Sequence, residues 1–402
     1  MALLPVGEAL ARILVTARIL GAEYLPLTQC LGRITAKDIQ AKRNQPPFDA
    51  SAMDGYAVRF EDFATLPATL KLIGTSAAGH GYKGAVKRGQ AVRILTGAPL
   101  PVGADTVVIQ ENTQADGNLV TVVEITALGR NIRKAGLDFK KSDVLVPKGS
   151  KLNARDIGLA ASGDHAMLRI RMKPRVAILT TGDELTLPGD KRRADQITSS
   201  NSFALGAFAK ACGADVIDLG IVKDDLRAIT AAIRRASKAD VLITTGGASV
   251  GDHDFVQAAL RSAGVKIGFW KIAMRPGKPF MFGTKGKLRV LGLPGNPVAA
   301  FVCAQLFLKP LLSKMLGLGE ADGQTFAKLG ADIPANDQRQ DYLRATITHT
   351  EDGARIATAA TRQDSSMQRV MREAKCLIIR QPYAAAAKAG DIVPILLLSD
   401  GI

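Results

Sequence analysis

The sequence predicts a multidomain protein of mixed α/β and β class, organised around one α/β domain with a mostly parallel sheet. Between residues 172 and 318, runs rich in Val, Ile and Leu alternate with helical patterns, as is typical of parallel sheets. On both sides of this stretch, short strand patterns separated by Gly and Pro turns indicate β domains. Because 402 residues exceed the ~250–300 that one core supports, several domains are expected.

These patterns predict four domains. The N-terminal domain is discontinuous, of mixed character, and combines residues 1–43 with 141–171. A small β domain occupies 44–140, and the α/β domain occupies 172–318. The C-terminal domain, 319–402, is rich in strand patterns and is expected to be β-barrel-like.

The N-terminal segment is predicted to be a helix, because apolar residues recur at the spacing of one helix face. Charged residues interrupt it, which argues against a signal peptide. No run of 18 or more apolar residues is found, so no membrane span is expected. The small β domain is expected to contain strands near 68–74, 90–95, 105–111 and 119–126.

The α/β domain begins with a predicted strand at 176–180 and continues with regular alternation. A helix is expected to start near Asn201 and Ser202, which are good capping residues, and to stop at Gly213. The elements predicted after it are a strand at 216–222, a helix at 224–238, a strand at 241–245, a helix at 252–264, a strand at 266–274, a hairpin at 279–293 and a long helix from Pro297.

Three of the predicted strands run directly into glycine loops that carry hydroxyls or carboxylates. These loops are TTGDEL (180–185), TTGGASVGDHDF (244–255) and LPGNPV (293–298). The carboxyl ends of parallel strands share one sheet edge, where ligands bind, and glycine N–H groups at helix starts hold phosphate. Acids in the loops would repel bare phosphate, so a divalent cation is expected with it. Ordinary turn and cap chemistry is the alternative for any single loop.

The net charge of +16 and the pI near 9.8 are strongly basic, but the basic residues are dispersed and aromatic residues are only 5%. Nucleic-acid binding is therefore not expected. The charge is interpreted as a field that gathers small anions, or as a solvated surface without specific use. Four distant cysteines indicate buried thiols in a reducing, cytoplasmic compartment, and the four histidines form no zinc-binding pattern.

Seven motifs, in order, resemble those of the molybdopterin molybdotransferase family, the MoeA type to which the gephyrin E domain is similar. They are PPFDASAMDGYAV (46–58), RILTGAPLPVGADTVVIQE (93–111), AGLDF (135–139), TTGDEL, TTGGASVGDHDF, MRPGKPF (274–280) and LGLPGNPV (291–298). The resemblance implies that the α/β domain is molybdopterin-adenylyltransferase-like. It also implies an enzyme that hydrolyses adenylylated molybdopterin with Mg²⁺, releases AMP and inserts molybdate.

The resemblance further implies a homodimer with an active site shared between subunits. A molybdopterin adenylyltransferase and apo-molybdoenzymes are possible further partners. Two other functions stay open: adenylyl transfer onto molybdopterin, and a non-catalytic scaffold that binds the cofactor.

By resemblance, Glu184 and Asp254 hold Mg²⁺, with Asp183 and Asp252 as second choices. Residues expected to bind the phosphate and pterin are Thr181, Gly246, Gly247, Ser249, Gly251, Asp252, Pro294, Gly295, Asn296 and Pro297. A tight turn or a helix start is the structural alternative for these positions.

The resemblance places molybdate on Lys271, Arg275, Arg344 and Ser365. Fixed donors and positive charge suit an oxyanion of charge −2. Ser366 is an alternative to Ser365, Asp364 is unexpected beside an oxyanion, and Arg344 is alternatively a solvated arginine.

The remaining candidates are carboxylates and a hydroxyl outside these loops. The resemblance places Asp54, Thr96 and Asp138 at the catalytic cleft across the dimer interface, although Asp54 and Thr96 also suit ordinary turns. Asp224 is expected to be either a catalytic acid or the cap of the helix it precedes.

Overall fold

The computed structural model describes residues 3–125, 127–246, 255–319 and 323–398. The chain divides into two compact units. The first unit takes residues 24–31 and 35–170, and the second takes the remainder. Helix α1 (Val6–Thr16) opens the second unit, and its buried residues Val6, Ala9 and Ile13 lie on one face, as the apolar spacing predicts.

The first unit is mainly β-structure. Its main sheet has the order β7-β4-β6-β5-β9-β8, with β5 and β6 parallel and the other pairs antiparallel. The elements along this part of the chain are β1 (Ala22–Pro26), β2 (Ile39–Gln40), β3 (Ala50–Ser51), β4 (Gly55–Val58), β5 (Ala68–Ser76), β6 (Gln90–Ile94), β7 (Thr106–Ile109), β8 (Thr113–Asp116), β9 (Leu119–Val122), β10 (Ile132–Arg133), β11 (Val144–Val146), α2 (Ala154–Ser162) and β12 (Met167–Arg171).

Both faces of this sheet are covered. Successive residues of β4 enter different clusters: Tyr56 and Val58 join one, and Ala57 joins the other. This alternation follows from the twofold period of a strand. Helix α2 starts at a capping box, in which Asn153 accepts from the Asp156 N–H and Asp156 accepts from the Asn153 N–H.

The central sheet of the second unit has the order β16-β13-β17-β21-β20-β18. Its first four strands run parallel to one another, β20 runs antiparallel to them, and β18 is antiparallel to β20. Its strands and neighbouring short strands are β13 (Arg175–Thr181), β14 (Leu185–Thr186), β15 (Ile197–Thr198), β16 (Asp215–Val222), β17 (Val241–Thr245), β18 (Lys266–Trp270), β19 (Met274–Arg275), β20 (Met281–Lys285) and β21 (Leu288–Leu293).

Helices cover both faces of the central sheet. They are α3 (Asn201–Ala211), α4 (Leu226–Arg235), α5 (Phe255–Ser262), α6 (Pro297–Cys303) and α7 (Lys309–Leu316). Residues Val176 and Ile178 of β13 pack in the core with α1, α3, α6 and α7, whereas Ala177 and Leu179 pack with α4 and α5. Burial on both faces explains why these strands are continuous apolar runs. The predicted α/β domain is therefore confirmed.

The helical run Pro297–Leu316 joins α6 and α7 through a π-helical segment, Ala304–Leu308. Within the described part of the chain, this run alone is long and apolar enough to cross a membrane, and most of it is buried inside the fold. Val302, Phe307 and Leu311 lie in the central core, so the run is apolar because it packs there.

The C-terminal strands close into a five-stranded barrel, as the strand-rich pattern predicts. Its strands follow the order β23-β24-β22-β26-β25, and β25 pairs again with β23. Strand β19 adds to the outside of β23. The elements are β22 (Gln324–Leu329), β23 (Gln340–His349), β24 (Arg355–Ala359), α8 (Gln368–Glu373), β25 (Cys376–Arg380) and β26 (Ile392–Leu397).

The single strand predicted over 266–274 is wrong. Strand β18 belongs to the central sheet, whereas β19 pairs with β23 of the barrel. Between them Lys271 adopts a left-handed backbone conformation with φ of 67°. An apolar run cannot indicate such a change of sheet, because the apolar residues continue across Lys271 in one strand-like pattern.

Candidate active site

The carboxyl ends of β13, β17 and β21 lie side by side, because these three strands are parallel neighbours. Gly246 follows β17 with φ of 89°, and a Cβ there would lie 2.0 Å from the Thr181 carbonyl oxygen. Glycine is therefore required at this close approach. A Cβ on Gly295 would lie 3.8 Å from the Gly246 Cα, so the three loop starts meet. The predicted residues Gly247, Ser249, Gly251, Asp252 and Asp254 lie outside the described residues.

Asn201 connects two of these loops, a role that the sequence analysis missed. Its amide nitrogen donates to the Thr245 Oγ1 and to the Gly295 carbonyl oxygen, both at 2.8 Å. The Thr245 hydroxyl in turn donates to the Pro294 carbonyl at 3.3 Å. Asn201 is buried and is the first residue of α3, and the N-cap position before it is Ser200, whose side chain makes no capping bond. A capping pattern cannot distinguish these roles, because Asn suits both.

Acids gather at the ends of β13 and β16. Asp225, not Asp224, caps helix α4, because its carboxylate accepts from the Ala228 N–H at 2.8 Å. Asp224 is half-buried, and its backbone N–H donates to the Asp183 Oδ1 at 3.4 Å. Burial raises the pKa of Asp224, the charges of Asp183 and Glu184 raise it further, and a hydrogen bond from the Asp183 backbone partly opposes them. Two roles were predicted for Asp224, catalytic acid and helix cap, and the structure excludes only the cap.

This acidic edge fits Mg²⁺ in its donor chemistry. Asp183, Glu184 and Asp224 offer only oxygen, and their mutual repulsion would be relieved by a cation. Within the described ranges, no three His, Cys, Asp or Glu side chains come together closely enough to hold a metal by themselves. In most protein Mg²⁺ sites, phosphate and water supply the remaining ligands, so one or two carboxylates of the protein are sufficient.

Arg275 and Lys271, the two basic positions near β19, differ in their partners. The Arg275 Nε donates to both carboxylate oxygens of Asp341, at 2.9 and 3.0 Å, and its Nη2 donates to the same carboxylate. Asp337 adds an ion pair at 3.3 Å. The Asp341 carboxylate, through its hydrogen bonds, raises the pKa of Arg275. Lys271 instead holds its ammonium 4.1 Å from the centre of the Trp270 ring.

Arg344 is 2% exposed, so the solvated alternative is excluded. Its Nη1 and Nη2 donate long hydrogen bonds, both 3.4 Å, to the Tyr342 and Asp364 carbonyls. Among the described residues, its Nε has no partner. Burial lowers the pKa of Arg344, although arginine stays charged at neutral pH. A buried cation with an unsatisfied donor is suited to receive an anion.

The structure distinguishes Ser365 from Ser366. The Ser365 hydroxyl accepts from the Asn296 amide at 2.7 Å, and its carbonyl accepts from the Val298 N–H at 3.0 Å. Ser365 therefore contacts the loop at residues 294–297, the PGNP loop. Ser366 instead donates its hydroxyl and its N–H to the Asp364 carboxylate, and these bonds lower the pKa of Asp364. The unexpected acid is thus bound locally by Ser366.

In the first unit, the structure pairs Asp54 with Thr96. The Asp54 Oδ1 accepts from both the hydroxyl and the N–H of Thr96, each at 2.7 Å. These bonds, the hydroxyl first, lower the pKa of Asp54. Asp138 is exposed on its own turn, where its N–H donates to the Gln45 carbonyl at 2.9 Å. No hydrogen bond between described residues connects Asp138 to the Asp54–Thr96 pair.

Known proteins resemble the chain over nearly its full length. Residues 4–163 match the MoeA N-terminal region (domain I and II), 177–314 a probable molybdopterin binding domain, and 327–398 the MoeA C-terminal region (domain IV). The molybdopterin molybdenumtransferase of Haemophilus influenzae is 36% identical, with 93% of each chain covered. The chain belongs to the MoeA family.

Other MoeA relatives agree. The Bacillus subtilis molybdopterin molybdenumtransferase is 34% identical and covers 99% of this chain, with 94% of its own length matched. The crystal structure of a molybdopterin biosynthesis MoeA protein from Pyrococcus horikosii is 29% identical, with a TM-score of 0.88, and covers 98% of this chain and 99% of its own. This MoeA family member is a transferase of molybdenum cofactor biosynthesis.

Proposed function

We propose that the chain is a molybdopterin molybdotransferase, which inserts molybdate into adenylylated molybdopterin with Mg²⁺ and releases AMP. The observation that carries the proposal is the meeting of three loops at the carboxyl edge of one sheet, with acids beside them. Such an edge binds phosphate through backbone N–H groups. Because its carboxylates repel phosphate, a divalent cation is expected to bind between them.

In this proposal, the loops after β13 and β17 hold the phosphates, and the PGNP loop holds the pterin side. Glu184 and Asp254 would hold Mg²⁺, which when bound neutralises phosphate charge and activates water. The Asp224 carboxyl, with its raised pKa, takes the proton as water attacks phosphorus and AMP leaves.

Molybdate would bind on the barrel side of the cleft. Lys271 and Arg344 offer positive charge, and Ser365 adds a hydroxyl beside the PGNP loop. Arg275 enters this site already paired with Asp341, so it contributes less charge than the other two.

We further propose that the enzyme acts in the cytoplasm as a homodimer, with Asp54 and Thr96 of one subunit completing the cleft of the other. The Asp54–Thr96 pair is exposed and is fixed by two short hydrogen bonds. Residues that one subunit contributes to the active site of the other need both properties. Apo-molybdoenzymes would receive the product, and a molybdopterin adenylyltransferase would supply the substrate.

The decisive experiment follows AMP release from adenylylated molybdopterin. Release should need both Mg²⁺ and molybdate. Asp254→Asn should abolish hydrolysis and leave the substrate bound. Lys271→Ala should raise the molybdate concentration required, by roughly 10- to 100-fold for one charge-assisted bond, and spare adenylate binding. Tight binding of the substrate without any AMP release by the unmodified protein would instead support a scaffold.

A further inference from the structure

Lys271 lies at a corner where the backbone is fixed from both directions. On one side β18 is part of the central sheet, and on the other β19 is part of the barrel sheet. The Lys271 N–H donates to the Phe280 carbonyl at 2.9 Å, and the Ile272 N–H donates to the Lys278 carbonyl at 3.0 Å. A left-handed conformation is unfavourable for lysine, so these bonds must determine it. The backbone therefore sets the direction in which the Lys271 side chain leaves the chain.

Trp270, the preceding residue, determines where that side chain ends. The Trp270 backbone pairs with Met281 in the β18–β20 ladder. Its ring packs against the hydrophobic cluster that contains the buried residues of α4 and α5. The Lys271 Nζ lies over this ring at 4.1 Å from the centroid. Tryptophan is the side chain that attracts a cation most strongly in this arrangement. A flexible lysine is thus held against a ring that is itself fixed.

The charge of Lys271 is available in a way that the charge of Arg275 is not. Two carboxylates, Asp341 and Asp337, pair with Arg275. Within the described ranges, no carboxylate pairs with the Lys271 Nζ, which contacts the Trp270 ring. A ring leaves the outer side of the ammonium and its N–H donors open to an anion, whereas a carboxylate neutralises the charge.

We propose that Trp270 is the positioning residue of the oxyanion site: it holds the Lys271 ammonium ready for molybdate. This inference rests on the proposed function, because it requires Lys271 to bind molybdate. Trp270 is the single tryptophan of the chain, so the protein carries its own reporter of this site. An oxyanion that binds the ammonium changes the charge above the indole and hence its fluorescence.

The first measurement is a titration of tryptophan fluorescence with molybdate at constant ionic strength. The unmodified protein should show a saturable change, and Lys271→Met should show none. Lys266→Met removes the same charge from an exposed position of the neighbouring strand β18 and should respond like the unmodified protein. Equal responses of the Lys271 and Lys266 variants would overturn the proposal.

The second measurement separates KM from kcat in AMP release. Trp270→Leu should raise the KM for molybdate about 3- to 30-fold, the range of a partly buried cation–π contact, and leave kcat within about twofold. Trp270→Phe keeps a ring, so its KM for molybdate should lie between those of the unmodified protein and Trp270→Leu. This second variant tests the proposal if the leucine variant fails to fold. If both Trp270 variants keep the ordinary KM while Lys271→Met raises it, the inference fails and the proposed function stands. If Lys271→Met does not change the KM for molybdate either, Lys271 is not part of the oxyanion site, and that part of the proposed function is wrong.

Discussion

The carboxylate of Asp341 binds the guanidinium of Arg275 from the directly paired position on the neighbouring strand. The two residues are register partners in the parallel β19–β23 pair, and the Asp341 side chain is only 7% exposed. Their ion pair joins the segment between β18 and β20 of the central sheet to the barrel. A residue expected to meet an oxyanion is thus already bound to an anion of the protein.

Replacing Asp341 by Asn should release the charge of Arg275 while preserving side-chain volume. We expect the KM for molybdate to fall several-fold, because an uncompensated guanidinium attracts the dianion. We also expect the free energy of unfolding to fall by about 1–3 kcal/mol through the lost charged hydrogen bonds. Steady-state kinetics and urea unfolding test these effects. Asp337→Asn, at the more exposed partner, is the control and should do less. A raised KM would mean that Asp341 orients Arg275 productively.

Asn201→Asp should destabilise the loop junction without changing its shape. A carboxylate cannot donate to the Gly295 carbonyl, so this bond is lost and the Thr245 contact must reverse its direction. We expect a loss of about 1–3 kcal/mol in the free energy of unfolding. Urea denaturation measures the loss, and Ser202→Ala on the same helix is the control. Unchanged stability would show that Asn201 does not hold the loops.

Thr96→Val should raise the pKa of Asp54 toward its ordinary value. The hydroxyl bond is the largest cause of the depressed pKa, and the Thr96 N–H bond remains in the variant. Because the folded pKa is depressed, the contact stabilises the protein above the ordinary pKa and loses effect as pH falls through the lower folded value. The stability difference between the two proteins should therefore be complete above about pH 4 and disappear as the pH falls below it, and the Asp54 titration curves should differ in that lower range. NMR titration of the Asp54 carboxyl carbon measures the shift, and coincident titration curves would contradict it.

The shared-site dimer can be tested by complementation. Asp54→Ala and Arg344→Ala should each be inactive alone. After subunit exchange, each mixed dimer would contain one cleft with both defects and one with neither, so AMP release should return. Mass spectrometry establishes the exchange. An inactive mixture of proven mixed dimers would place each cleft within one chain and would remove Asp54 from it.

The sequence predicted the features that follow from periodicity. Buried strands such as β13 are continuous apolar runs, and Gly182 and Gly246 directly follow the ends of β13 and β17, as predicted. The meeting of the loops after these strands was predictable, because the carboxyl ends of parallel strands lie at one edge of the sheet. The domain boundaries at 43/44, 140/141, 171/172 and 318/319 stay predictions.

What the sequence could not predict depends on contacts between distant residues. Asn201 reaches Thr245 and Gly295 across the sheet end, and no local pattern encodes such a bond. The pairing of Arg275 with Asp341 likewise requires β19 to lie beside β23, which is distant in the sequence. Asp224 and Asp225 are chemically equivalent in sequence, and only the geometry of α4 decides which of them caps the helix.

The change of sheet at Lys271 has a consequence for how this protein can diverge. Trp270 is fixed by one ladder and Arg275 by another, so the number of residues between them must match the gap between the two sheets. Substitutions there alter charge and affinity, but an insertion or deletion of even one residue would detach one strand from its ladder. Length variation among functional descendants of this sequence should therefore accumulate in exposed turns such as 187–196 and be absent from 270–275.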